Sequence, residues 1–234
     1  MEAFAASDDL EITVRSIGQS AEPLVVIDNF LSDPSALVDH AAQADWTTHP
    51  PGGYPGRRAG LPRAYAQSVL RRLDGVIRET LIHGPATLDR FTCSFSMVTR
   101  KPDDLGSLQR VPHIDVANPN RVAVLHYLCD EGFGGTAFFR QTGTGLEQIG
   151  PESRDRYVAC RRADIARLEP GNTYPDQATP GYIRTGFVPA RFNRLVAYRS
   201  FTLHSGIIDQ PDRLSTDPRL GRLTANFFVD YATT

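Results

Sequence analysis

Residues 221–231 read GRLTANFFVDY. Polar and apolar side chains alternate along GRLTANFFV as they do in a core strand, so this stretch predicts a strand with one face toward a core. The segment before it, DQPDRLSTDPRLG, is polar and turn-rich and predicts a loop over 208–220. Arg222 and Thr224 stand two apart and share one face of the strand.

Working toward the N-terminus, the same short β-branched and aromatic runs recur: RLVAYRS (194–200), TAFFR (136–140), RVAVLHYLC (121–129) and FTCSFSMVT (91–99). Before residue 90 the order differs. A strand pair, ITVRSI (12–17) and LVVIDNF (24–30), leads into SDPSALVDHAAQADW. There Ser32 or Asp33 can cap a helix, Pro34 suits its first position, and Leu37, Ala41 and Ala44 share a face. The Gly- and Pro-dense segment 47–61 predicts an irregular loop, and a second helix follows over about 63–82 with a stripe of Tyr65, Val69, Leu73, Val76 and Ile77. PESRDRYVACRRADIARL (151–168) has helical spacing and interrupts the strand series. Helices first, then a strand-rich half, predict an α+β protein, mainly β, with a sandwich or barrel. There is no internal repeat and no low-complexity linker, so residues 1–234 are read as a single domain with a helical insertion at about 141–185.

Composition narrows the function classes. The net charge is −2, with 25 basic and 27 acidic residues and no basic block, so neither nucleic acid nor an anionic membrane surface is an expected partner. Three cysteines (Cys93, Cys129, Cys160) without CxxC spacing predict neither a disulfide framework nor a zinc knuckle. MEAFAASDDLEITV lacks the basic start and apolar run of a signal peptide, and no stretch has the length of a membrane span. A soluble, cytoplasmic protein is expected. No G-x-S-x-G elbow, Walker motif or dinucleotide glycine motif occurs.

The chemistry is carried by VPHIDVANPN (111–120). An H-x-[DE] pair is expected about once by chance in such a chain, so it says little alone. In an extended segment, however, i and i+2 point to one face about 6.5–7 Å apart at Cα, so His113 and Asp115 can turn toward one ion. His204, in YRSFTLHSG directly after a predicted strand, can supply the third donor from an adjacent strand. Two imidazoles and a carboxylate with positions left over form the facial set that holds non-haem Fe(II). Arg222, with a guanidinium fork and the Thr224 hydroxyl beside it, suits a carboxylate.

The series IDNFLSDPSALVDHA, PHID, VAVLHYLCDEGFGGTAFFR, VPARFNRLVAYRSFTLHSG and GRLTANFFV resembles, in that order, the 2-oxoglutarate/Fe(II)-dependent oxygenase superfamily, in its prolyl-4-hydroxylase-like branch. The likeness covers most of 24–231. It implies a double-stranded β-helix (jelly roll, cupin-like) with N-terminal helices packed on one sheet. It implies His113, Asp115 and His204 as iron ligands and Arg222, supported by Thr224, as partner of the distal carboxylate of 2-oxoglutarate. Tyr127 would donate its hydroxyl to the same carboxylate. The basic residue usually follows the second His by about ten positions. Arg213 suits that gap better, and Arg222 suits the strand pattern better; Cys129 stands where the family has Asn. Oxidative decarboxylation of 2-oxoglutarate to succinate and CO2 would then be coupled to hydrogen abstraction from a small molecule or a peptide or protein side chain. The carboxylate of Asp115 favours hydroxylation over halogenation. Two other readings stand beside it: a cupin-like metalloprotein that does not use 2-oxoglutarate, and a non-catalytic binding protein on an oxygenase scaffold. The segments 47–61 and 141–185 are expected to rim the site and could act as lids. The arginines of the insertion (Arg154, Arg156, Arg161, Arg162, Arg167) are read as the solvated face of its helix, the alternative being that they attract an anionic substrate.

Overall fold

The computed structural model describes residues 4–48, 53–168 and 173–233. Strands β1 (Glu11–Ile17) and β2 (Glu22–Asp28) come first, then helix α1 (Pro34–Ala42), the short strands β3 (Thr47–Thr48) and β4 (Gly56–Ala59), and helix α2 (Arg63–Thr80). Strands β5 (Ala86–Val98), β6 (Arg121–Tyr127) and β7 (Gly135–Gln141), helix α3 (Arg154–Ala166), and strands β8 (Tyr182–Pro189), β9 (Arg194–Arg199), β10 (His204–Ile207) and β11 (Arg222–Thr233) complete the chain. Two open antiparallel sheets result, one ordered β1-β2-β9-β6-β11-β5-β4-β3 and the other β10-β7-β8. This is the jelly-roll arrangement, left open rather than closed into a barrel.

The layers follow from side-chain patterning. Every residue of β9 is buried, as its unbroken run RLVAYR requires of a central strand covered on both faces. One face of the large sheet meets the helices: Leu195 and Ala197 of β9 and Leu223, Ala225, Phe227 and Val229 of β11 pack with Leu37 and Ala41 of α1. The stripe Tyr65, Val69, Leu73 and Ile77 of α2 joins them; Val76 lies at its margin. Asp33 caps α1 by accepting from the Ala36 amide at 3.1 Å, with Pro34 at the first position. The opposite face of the large sheet meets the small one, where Val26, Val196 and Tyr198 pack with Phe138 of β7 and Val188 of β8. Helix α3 covers the outside of the small sheet through Tyr157, beside Phe139 and Tyr182.

Several elements depart from the expectations. Part of the predicted loop 47–61 is ordered, because β4 adds to the edge of β5 with Arg58 opposite Ser96; residues 49–52 lie outside the described residues. Strand β5 starts at Ala86, and its first half is largely exposed. The insertion expected at 141–185 runs past its helix into β8, whose RTG centre hides its strand character. A register shift between Phe138 and Phe139 of β7 accommodates that centre. Strand β10 has four residues, and its pairing with β7, His204 opposite Phe138, makes it a strand.

Candidate metal centre and cleft

His113 and His204 are joined by two backbone hydrogen bonds, His113 N–H to His204 O at 2.9 Å and His204 N–H to His113 O at 2.8 Å. The Asp115 amide donates to Ser200 O at 3.0 Å. The H-x-D segment is thus held as an additional rung beside β10. The pairing does what the i, i+2 spacing allows: donor atoms of His113, Asp115 and His204 all lie within 4.8 Å of one another. His204 Nε2 is 3.7 Å from Asp115 Oδ2, and His113 Nε2 is 4.0 Å from Asp115 Oδ1. The two imidazole rings are 4.6 Å apart between centroids.

His204 is buried, and its Nδ1 lies 2.8 Å from the carbonyl of Thr202. A carbonyl accepts, so Nδ1 carries the proton and Nε2 keeps its lone pair facing the other two donors. The Tyr198 ring, 4.9 Å from the imidazole centroid, backs it. The His113 side chain is 45% exposed, opening onto the cleft. Its crowded surroundings, then His204 and Arg161, hold its pKa well below the ordinary value. The same enclosure raises the pKa of Asp115 against the opposing fields of His204, Arg121 and Arg58. Two imidazoles and a carboxylate that gains from a nearby cation suit a divalent metal. Donor separations near the ~4 Å that two metal bonds of about 2 Å can bridge suit it as well.

These residues sit in a cleft of about 410 Å³ between the sheets. Its far wall is β11, where Arg222, Thr224, Asn226 and Phe228 line the cleft while the residues between them enter the helix-side core. Arg222 is 4% exposed. Its Nε donates to Phe133 O at 3.1 Å and its Nη2 to Gly135 O at 3.0 Å, and among the described residues it has no carboxylate partner. Arg213, by contrast, is exposed, paired with Asp130 at 3.0 Å and laid over the Phe133 ring. Of the two arginines, Arg222 is the one that faces the ligand set.

The supporting hydroxyls differ from expectation. The Tyr127 ring lies under Arg222, 5.9 Å from its guanidinium carbon. Its hydroxyl is bonded to Thr136 Oγ1 at 2.5 Å, and it is not part of the cleft wall. The sequence cannot tell which face of the strand end a hydroxyl reaches once the partner hydroxyl is unknown. Thr224 lines the cleft but donates its proton to Ser96 O at 3.2 Å, so it offers a ligand only an acceptor. A second hydroxyl, that of Tyr54, is buried in the cleft wall beside Thr224, and it makes no hydrogen bond of ordinary geometry among the described residues. Burial pushes its pKa up to about 12 against the field of Arg222, so it stays protonated.

Tyr54, Arg58, Asn226 and Arg161 also line the cleft. Segments 47–61 and 141–185 were expected at its rim, although Tyr54 and Arg58 were not singled out within the first. Asn226 was within reach of the sequence, since it continues the Arg222–Thr224 alternation by two more residues. Tyr54 and Arg58 lie in a segment whose composition reads only as loop. Arg161 is turned inward from the helix face read as solvated, and donates to Pro112 O at 3.2 Å and Leu108 O at 3.1 Å.

A family model described as "Family of unknown function (DUF6445)" matches residues 8–229. No curated protein matches the chain. Among solved structures, the chain is similar to HygX from Streptomyces hygroscopicus, crystallised with nickel, 2-oxoglutarate and hygromycin B. The two are 14% identical, 88% of this chain and 82% of that chain are covered, and the TM-score is 0.49. It is also similar to the non-heme alpha ketoglutarate dependent epimerase SnoN from nogalamycin biosynthesis (14%, 91% and 78% covered, TM-score 0.48). A Pseudomonas putida prolyl-4-hydroxylase gives 13% identity, 92% and 90% coverage and a TM-score of 0.42. Scores at this level bear on neither activity nor substrate.

Proposed function

The chain belongs to DUF6445, a family of unknown function, and from that premise we propose that it is an Fe(II)- and 2-oxoglutarate-dependent oxygenase that hydroxylates a small molecule or a peptide side chain. The observation that carries the proposal is the buried Arg222, without an internal carboxylate partner, in one cleft with His113, Asp115 and His204. A buried guanidinium without an acid calls for an anion from outside. The same observation weighs against a metalloprotein that does without 2-oxoglutarate, where Arg222 would pair with an internal acid.

His113, Asp115 and His204 would hold the iron. With 2-oxoglutarate bound, that pair supplies O2 activation coupled to oxidative decarboxylation. The remaining work falls to the chain. Arg222 offers the distal carboxylate its unused N–H groups at Nη1, since Nε and Nη2 are already tied to backbone carbonyls. Tyr54 donates its hydroxyl to the same anion. The Thr202 carbonyl keeps His204 in the tautomer that presents Nε2, and Tyr198 and Phe228 limit water in the cleft.

Anaerobic addition of Fe(II) and 2-oxoglutarate should produce the weak visible charge-transfer band of an iron–2-oxo acid chelate. Its absence in the wild type, or an unchanged band in His113→Ala, rejects the proposal. Arg222→Leu should raise the 2-oxoglutarate concentration needed by about ten- to hundredfold, the worth of a charge-assisted pair. Arg213→Leu should leave it within about twofold.

A further inference from the structure

The cleft carries more positive charge than iron and 2-oxoglutarate can use. Besides Arg222, it is lined by Arg58 on β4 and Arg161 on α3, and Asp115 is the only acidic residue among the described residues lining it. If Fe(II), Asp115, dianionic 2-oxoglutarate and Arg222 are present together, their charges cancel. Arg58 and Arg161 remain as two cations without a counterion among the described residues.

Arg58 is the more telling of the two. Its Nε is buried without a hydrogen-bond partner, and its guanidinium forms no ion pair among the described residues. The guanidinium carbon lies 5.0 Å from the centroid of the Tyr54 ring, a cation–π contact that keeps the Arg58 head beside the cleft wall. The β4–β5–β11 register puts Arg58, Ser96 and Thr224 in one row across the sheet, so Arg58 shares the inner face with the proposed cosubstrate site. Asn226 Oδ1, buried and unpartnered on the same wall, awaits a donor. Buried polar groups are ordinarily satisfied, and leaving one unmet costs about 1–3 kcal/mol. Between these groups the walls are apolar: Val98, Leu108, Ile114, Leu125 and Phe228.

We infer that the substrate is a small anionic molecule with an apolar body, whose carboxylate or phosphate is held by Arg58, with Arg161 adding its charge from the opposite wall. The inference rests on the proposed oxygenase reading for the metal and for Arg222, and adds the substrate class. Arg58 acts as a specificity-determining residue: a neutral analogue would leave its guanidinium enclosed and unpaired.

The probes are a matched pair, hexanoate and hexanamide, with inorganic phosphate as a third arm. They are titrated anaerobically into the full chain loaded with Fe(II) and saturating 2-oxoglutarate, and binding is read by calorimetry while the charge-transfer band reports the cosubstrate. Hexanoate should bind at least tenfold more tightly than hexanamide with the band retained. Arg58→Gln should erase that preference, Arg161→Gln should reduce it several-fold, and Arg58→Lys should restore most of it. A preference for phosphate over hexanoate, again lost in Arg58→Gln, supports a phosphorylated substrate.

Equal binding of hexanoate and hexanamide overturns the inference, as does a preference that survives both Arg58→Gln and Arg161→Gln. Loss of the band in a folded Arg58→Gln also overturns it, by assigning Arg58 to the cosubstrate. If the wild type forms no band at all, the oxygenase reading fails instead. The same titrations on the metal-free protein then decide whether Arg58 selects an anion.

Discussion

At the scale of single residues, the pair His113 and Asp115 was legible because two-residue spacing puts side chains on one face whatever the tertiary context. Which hydroxyl lines the cleft beside Arg222 was not legible. Tyr127 and Tyr54 are both tyrosines near the site, and it is the Thr136 contact, nine residues from Tyr127, that turns the Tyr127 hydroxyl away from the cleft wall. His126 carried no signal either, yet it sets a pH dependence. Its Nδ1 accepts from the Tyr65 hydroxyl at 2.8 Å, and its Nε2 donates to Asn193 Oδ1 at 3.1 Å, so it is neutral in the fold. Burial pushes its pKa down to about 4. Between that value and the ordinary 6.5 or so, the unfolded chain binds a proton that the folded one does not. Stability from this residue is therefore fully present above about pH 6.5 and is lost as pH falls toward 4, by about 3 kcal/mol. Urea unfolding between pH 7 and 4 should show a shallower loss in His126→Gln than in the wild type by about that amount. Identical pH slopes would exclude His126 as the cause.

At the scale of elements, β11 was readable because its alternation is a local property; β4 was not, because its strand conformation comes from β5. Four residues, GRRA, after a Gly- and Pro-rich run have no strand periodicity of their own. What lets β4 dock is Gly56. A Cβ there would stand 1.9 Å from the Met97 carbonyl oxygen and 2.9 Å from its carbon, both backbone atoms of β5. Gly56→Ala should therefore push β4 off the sheet edge and take Arg58 with it. The expected loss is about 1–3 kcal/mol of stability, a fall in Tm of several degrees for a chain of this size. Hexanoate selectivity should fall as far as in Arg58→Gln. A variant with wild-type Tm and selectivity would show that the edge accommodates the methyl group. Helix α3 gives the complementary case: its helical character was plain in RDRYVACRRADIA, but the inward turn of Arg161 depends on carbonyls at 108 and 112, far away in sequence.

At the scale of the whole molecule, element order foretold an α+β sandwich or barrel, the helices on one sheet came only from the family resemblance, and of the small sheet's strands β7 was foreseen while β8 and β10 were not. That division of labour matters for the site. The His113–Asp115–His204 set belongs to the small sheet and its added rung, while Arg222 rises from β11 of the large one. The Arg222 fork is further tied to the carbonyls of Phe133 and Gly135 at the approach to β7. The gap between the proposed ligand set and the guanidinium is thus set by how two packed sheets stand apart. The molecule works as a calliper set to one opening. On the proposed reading a five-carbon 2-oxo diacid would span it, and homologues one carbon shorter or longer, oxaloacetate and 2-oxoadipate, should need at least about tenfold higher concentrations to give the same charge-transfer band. Equal response to all three acids would mean that the jaws slide, and that the packing between Val26, Val196, Phe138 and Val188 does not hold them.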